Sequence, residues 1–459
     1  MAIEPERIMT LNDRPVRDGD RVLYWMQQSQ RADDNPSLET AILEANSLNL
    51  PVLVCFGLTG DYPEANRRHY RFMLEGLVET RDTLSRRGVQ MIIRKGNPPE
   101  VALDLARRSA TIVCDVGYTR LQRQWRGILA EKAPCRVLAV EGDVVVPTEV
   151  ASDKAEYAAR TIRPKLGRHR DDYLKACPRH RVKRKFPVTD SDRLDLLDID
   201  GLLDDLKVDS TVQPVTAFFK GGAKEAKLHL RRFIRNRLEN YETHRNQPQT
   251  DDISHMSPYL HFGQISPVFL AMAVRDAGHG SGMDRAAYLE ELVVRRELAV
   301  NFVTHTPDYD RYTCLPRWAR ETLAAHTPDV RAHRYDRRTL EAAETHDPYW
   351  NAAMVEMRET GFMHNYMRMY WGKKILEWSG SPEAAFETAL ALNNKYFLDG
   401  RDPNSYAGVG WIFGLHDRPW PERAVYGKVR SMAASGLERK CDIRGYVKKV
   451  DALSRKGAA

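Results

Sequence analysis

No uninterrupted apolar run among the 459 residues approaches the roughly 18–20 that a membrane span requires, and the N-terminal stretch carries charge where a secretory leader would be apolar. A cytoplasmic, soluble protein is expected. Cysteine is sparse: Cys55, Cys114, Cys135, Cys177, Cys314 and Cys441 include no CxxC pair, and no histidine falls near paired cysteines in a ligand spacing. That excludes a disulfide framework and a conventional zinc site, so no metal is expected. Internal repeats and low-complexity tracts are missing too. The first strand-like run, at 21–26, is followed by Gln27, Gln28 and Ser29 rather than a GxGxxG turn, so the usual dinucleotide fingerprint is absent.

What remains is an ordinary globular composition, with 42% hydrophobic, 29% charged and 9% aromatic residues. Collagen-like, coiled-coil and wholly disordered classes drop out, and the length suits two or three domains. Charge is unevenly spread. Residues 1–150 hold 20 Lys/Arg against 21 Asp/Glu, whereas residues 151–459 hold 50 against 42, so the excess of +8 belongs to the later part. It is densest at 160–185, where 11 of 26 residues are basic and only Asp171 and Asp172 oppose them. Such a stretch suits phosphate contacts or a solvated charged face.

Short Val/Ile-rich runs at 21–26, 51–57, 89–94, 111–115 and 136–140 alternate with amphipathic stretches such as 67–87. Strand and helix in alternation predict an α/β domain over 1–150 with a parallel, Rossmann-like sheet. Polar, Pro-containing sequence over 151–224 reads as a connector, with leucines at helical spacing in 190–206. Helix signals at 227–241, 266–277, 286–302, 352–361, 366–378 and 382–392 predict an all-α domain over 225–459.

Three segments of the helical half carry chemistry. Ser254-His255-Met256-Ser257-Pro258-Tyr259 sets hydroxyls before a Pro–Tyr step, a pattern that serves phosphate binding or plain helix capping. Glu291 and Arg295, four apart, share a helix face, as an exposed salt bridge also would. Four of the eight tryptophans (Trp350, Trp371, Trp378 and Trp411) fall within 62 residues. Trp371 and Trp378 are seven apart, hence on nearly one helix face and about 10 Å apart along the axis. Core packing and electron transfer both use such a row.

Taken together, 254–263, 290–298, Asp347-Pro348-Tyr349-Trp350-Asn351, His364-Asn365-Tyr366-Met367-Arg368-Met369-Tyr370-Trp371 and Asn393-Asn394-Lys395-Tyr396-Phe397-Leu398-Asp399-Gly400-Arg401-Asp402-Pro403 resemble the class II cyclobutane pyrimidine dimer photolyases, within the photolyase/cryptochrome family. The likeness runs from about residue 21 to 446. It implies an antenna domain followed by a helical domain binding FAD in a bent form. Tyr241, Ser254, His255, Met256 and Ser257 match positions that hold the cofactor, as do Arg296, Arg368, Asp399 and Asn393, with Asn393 near the reactive flavin edge and Arg368–Asp399 as an ion pair beside the ring. Glu291 matches the carboxylate that contacts the dimer, Met369 and Trp411 line the cavity receiving it, and Asn365 lies in the same region. Trp371, Trp350 and Trp378 match, outward in that order, the chain that photoreduces oxidised FAD. Arg295 departs from the pattern, because relatives often place a stacking Trp there.

The resemblance therefore implies light-driven repair of pyrimidine dimers in ultraviolet-damaged DNA, with reduced FAD as cofactor and a monomer as the expected state. Glu291 would stabilise charge on the dimer by a hydrogen bond or a proton. A second antenna chromophore, a deazaflavin or a folate, is left open. The alternative is a cryptochrome-like photoreceptor without repair, against which stands an end at Ala459 with no long tail; a (6-4) photolyase and a light-independent flavoprotein are further rivals.

Overall fold

A computed structural model describes residues 3–186, 196 and 198–457. Six strands, β1 (Ile8–Thr10), β2 (Arg21–Trp25), β3 (Val52–Leu58), β4 (Gln90–Lys95), β5 (Ser109–Asp115) and β6 (Arg136–Val140), form one sheet in the order β1-β6-β5-β2-β3-β4. All neighbours are parallel except the β1–β6 edge pair. Helices cover both faces, so the strands can be apolar throughout. Val22, Tyr24, Val54 and Phe56 enter one core while Leu23, Trp25, Leu53 and Cys55 enter the other, as the two-residue side-chain period of a strand requires. The α/β fold class is as expected; β1 was not foreseen, because three half-exposed residues carry no readable pattern.

The strand order reverses between β2 and β5, the position where a doubly wound sheet opens a crevice. There the buried Asp115, ending β5, accepts the backbone N–H groups of Gln27, Gln28 and Ser29 at 3.1, 3.0 and 2.9 Å, and the Tyr24 hydroxyl at 2.7 Å. A carboxylate of the chain itself thus occupies the amide cluster that would otherwise cradle a phosphate. This gives a physical reason for the missing glycine turn.

The connector region contributes the helices Ala159–Tyr173 and Ile199–Asp205. Ile162 and Leu166 of the first pack in one core with Leu230, Tyr241, Tyr259 and Leu292 of the helical half. Leu194 and Leu197 of the expected leucine pattern lie outside the described residues. The two halves interlock tightly. Arg31 donates to Asp143 at 2.7 Å and to the Gly263 carbonyl at 2.9 Å, while Glu297 accepts the amides of Val145 and Val146. Gly263 has φ +63°, and a Cβ there would fall 2.1 Å from the Gln28 carbonyl oxygen, so only glycine allows this approach.

Beyond residue 222 the described fold is helical, as expected, with shifted bounds. The helix predicted from 352 begins at Pro348, because Asp347 caps it through the amides of Tyr349 and Trp350 at 3.0 and 3.1 Å. The single helix predicted over 286–302 is corrected to Gly282–Leu289, a π-helical turn Glu290–Arg295, and Arg296–His305. A π turn widens the spacing of successive side chains and recurs at functional sites, so Glu291 and Arg295 do not share a regular α-helical face.

Candidate functional site

The helical half encloses a cavity of about 700 Å³, within the range of cofactor sites. One side is built by the chain around Tyr241 and by Ser254, His255, Met256 and Ser257; the π turn adds Glu291 and Arg295, followed by Arg296. The helix Asn365–Trp378 contributes Asn365, Arg368 and Met369, and the segment beyond it contributes Asp399, Asp402 and Trp411. The structure therefore brings into one cavity every residue expected to bind cofactor or lesion except Asn393. That side chain is buried and is not among the lining residues; its amide donates to Asn394 Oδ1 at 3.0 Å.

Fixed charges are placed within this wall. Arg368 donates to both oxygens of Asp399 at 3.1 and 3.0 Å and to the Met363 carbonyl at 3.1 Å, with its guanidinium 3.9 Å from the Phe397 ring centroid. Asp402 lies beside His261 at 3.2 Å; burial would raise its pKa, but the His261 hydrogen bond and charge and the nearby Arg296 hold it at about 2. Arg296 itself donates to the Asp143 carbonyl at 2.7 Å, which ties the cavity to the N-terminal domain. Arg295 lies 5.5 Å from the Trp411 ring centroid and 3.4 Å from Glu290, so its guanidinium covers an aromatic face at the mouth.

Several polar atoms in this wall lack partners among the described residues. The His364 Nδ1 accepts the Tyr366 amide at 3.2 Å, and burial pushes the imidazole pKa down to about 3, so a neutral ring keeps its proton on an unpartnered Nε2. His255, at φ +56°, gives one nitrogen to Asp251 at 2.8 Å and leaves Nδ1 free; Arg295 Nε is likewise unpaired by hydrogen bonding. Unsatisfied donors and acceptors around a cavity of this size fit a large polar cofactor. The Ser254 hydroxyl, by contrast, accepts from Tyr288 at 3.2 Å.

Sequence reasoning missed Arg245 and His364. Arg245 forms an ion pair with Glu291 at 2.6 Å. Nothing periodic marks either residue: Arg245 follows a single short turn, Tyr241–His244, and His364 is the cap before Asn365.

Behind this wall lie the three tryptophans, all almost completely buried. Trp371 packs against Phe397, with ring centroids 6.5 Å apart. Trp350 donates from Nε1 to the Trp371 carbonyl at 2.9 Å, and its ring lies 5.6 Å from that of Trp378. Trp378 in turn meets Tyr335 and His346, each at 5.3 Å. The row thus runs from beside the cavity towards half-exposed groups. Trp371 and Trp378 come from one helix and Trp350 from the helix crossing it, an arrangement that one-helix spacing could only half show.

The DNA photolyase family model matches residues 22–183. A deoxyribodipyrimidine photo-lyase of Methanothermobacter thermautotrophicus is 46% identical over 98% of this chain and 99% of its own; one of Oryza sativa is 39% identical over 98% and 91%. Among solved structures, a class III photolyase from Agrobacterium tumefaciens superposes with a TM-score of 0.74 at 18% identity, covering 95% of this chain and 87% of that one. A photolyase from Sulfolobus tokodaii, solved with two FAD molecules, gives 0.69 at 16% identity over 94% and 89%.

Proposed function

The chain belongs to the DNA photolyase family, and from that premise we propose that it is a class II enzyme splitting cyclobutane pyrimidine dimers in DNA by light-driven electron donation from reduced FAD. The observation that carries this reading is one cavity with unsatisfied polar groups and a fixed Arg368–Asp399 pair, backed by a buried row of tryptophans. FAD, when bound and reduced, supplies the excited-state electron that breaks two carbon–carbon bonds which neutral-pH acid–base chemistry leaves intact.

The protein's own residues bind and orient. Tyr241 and the 254–257 segment would hold the cofactor's polar parts, with His255 Nδ1 and the His364 Nε2–H as additional partners. Arg368 and Asp399 would set the local field of the site, and Asn393 would act through its contact with Asn394. Extruding a dimer costs a few kcal/mol, less than for an intact pair because the damaged bases are already weakly paired. Met369 and Trp411 line the space it enters, Asn365 stands at the rim, and the Arg295–Trp411 stack takes the place of a second indole. Glu291, paired with Arg245, presents a hydrogen-bond acceptor to the dimer's N3–H edge. The wider basic surface supplies salt-dependent phosphate contacts. The crevice beyond β2 and β5, lined by Gln27, Gln28, Tyr62, Trp125 and Arg401, offers about 80 Å³, below the roughly 300 Å³ at which ligand pockets begin, so no second chromophore is placed there.

The test is illumination of the chemically reduced protein with an oligonucleotide holding one thymine dimer, followed by product chromatography. Intact thymines are the expected product; a fully reduced, flavin-loaded protein that repairs nothing refutes the reading and favours the photoreceptor alternative. Glu291→Ala should lower repair about 10–100-fold, the worth of one hydrogen bond to a charged group, at unchanged flavin content. Repair at the native rate would remove Glu291 from the dimer site.

A further inference from the structure

The helix Asn365–Trp378 carries, one turn beyond Met369 and on the same side, a lysine that the repair chemistry does not use. Lys373 is only 3% exposed, yet it belongs to the wall of the large cavity, together with Trp411, Asp417 and Arg430. Its Nζ donates to the Ile412 carbonyl near the end of the helix Pro403–Ile412, its one hydrogen bond among the described residues. Among the described residues no carboxylate lies within ion-pair distance. A buried ammonium without a counter-ion is costly, and burial pushes the amine's pKa down to about 7; Arg430 acts in the same direction and Asp417 against it. A large fraction of the amine is therefore neutral and nucleophilic at neutral pH, as in lysines that form imines.

We propose that Lys373 gives this protein a second, light-independent activity towards DNA: it captures the aldehyde of a ring-opened abasic deoxyribose as an imine. The inference rests on the reading of the cavity as the place that receives extruded DNA lesions. An abasic nucleotide has no base to unstack and is bulk-poor, so it enters a space shaped for a two-base lesion at little cost. In the open form its C1′ is an aldehyde. The Nζ lone pair adds to C1′, forming the nitrogen–carbon bond; both amine protons leave with the former carbonyl oxygen as water, and a carbon–nitrogen double bond remains. No oxidant or reductant is needed. Nζ leaves the Ile412 carbonyl to reach C1′, a movement its four-carbon stem provides for.

The experiment incubates the flavin-loaded protein in the dark with a duplex bearing a single abasic site and sodium cyanoborohydride, which reduces an imine to a stable secondary amine. The expected result is a covalent protein–DNA band on a denaturing gel, with the adduct mapped by mass spectrometry of the wild-type protein to the peptide containing Lys373. Lys373→Met should lose the band, with flavin content and melting temperature reporting that the variant is folded. Absence of a band, or an adduct mapped to another amine, overturns the proposal without reference to any variant. Thymine-dimer repair is measured on the same preparation: repair without an adduct refutes the lysine activity alone, whereas no repair and no dimer competition against the adduct refute the lesion-cavity reading.

Discussion

Trp371→Phe is expected to abolish photoreduction of the oxidised flavin while leaving dimer repair by chemically reduced protein near the native rate. The indole Nε1 of Trp371 has no hydrogen-bond partner among the described residues, so the smaller ring breaks no polar contact. Trp350 keeps its own bond, because its acceptor is the backbone carbonyl of residue 371 and survives the change. The cost to stability is then a packing defect of about 1–3 kcal/mol. What disappears is the indole between Trp350 and Phe397, the ring on which the cavity-lining Arg368 rests. Following the bleaching of the flavin's visible absorption under blue light with an external thiol donor checks the outcome. Trp420→Phe, remote from the row, serves as control. Photoreduction at the native rate in Trp371→Phe would show that electrons reach the cavity by another route.

Trp350→Phe makes a useful contrast. It also interrupts the row, but it removes the indole hydrogen bond to the Trp371 carbonyl, which keeps only its helical partner, at a cost of about 0.5–1.5 kcal/mol. The two variants should therefore agree in photoreduction and differ in thermal stability, with Trp350→Phe melting lower. Equal melting temperatures would mean that the indole bond adds nothing to the helical one.

The parts of this architecture that were legible in the sequence are those written in local pattern. The five parallel strands were readable because burial on both faces makes each a short apolar run, and the helical half because capping residues and 3.6-residue spacing recur. The site residues were legible through contiguous segments such as His364 to Trp371 and Asn393 to Pro403, whose resemblance to a family carried them. What stayed hidden depends on partners distant in sequence. Asp115 closes the turn at 27–29 from 86–88 positions away, and Arg245 reaches Glu291 across 46. The π turn at Glu290–Arg295 is invisible to a helical period because it adds one residue to a turn without changing the composition. Lys373 is of the same kind: on a helix full of Tyr, Trp and Met its charge reads as surface, and only its place in the cavity wall and its bond to the Ile412 carbonyl reveal that it is enclosed.

Arg368→Met is the substitution expected to do most harm to cofactor binding. Asp399 and Arg368 are both largely enclosed, with side-chain exposures of 11% and 20%, and the arginine also satisfies the Met363 carbonyl. Removing the guanidinium leaves Asp399 as an unpaired carboxylate in the cavity wall, a defect worth about 3–5 kcal/mol for a buried pair and towards the lower figure here, because Arg368 is partly solvated. At about 1.4 kcal/mol per tenfold, flavin affinity should fall about 100-fold, and the purified protein should be nearly colourless. Asp399→Asn leaves the guanidinium with its Met363 bond and its Phe397 face, so its loss should be smaller. The double variant Arg368→Met/Asp399→Asn decides the cause: if the penalty is the stranded carboxylate, removing both charges restores much of the affinity lost in Arg368→Met, and fluorescence titration of apoprotein with FAD will show it. Additive losses would instead mean that each side chain touches the cofactor independently and that the pair as such contributes little.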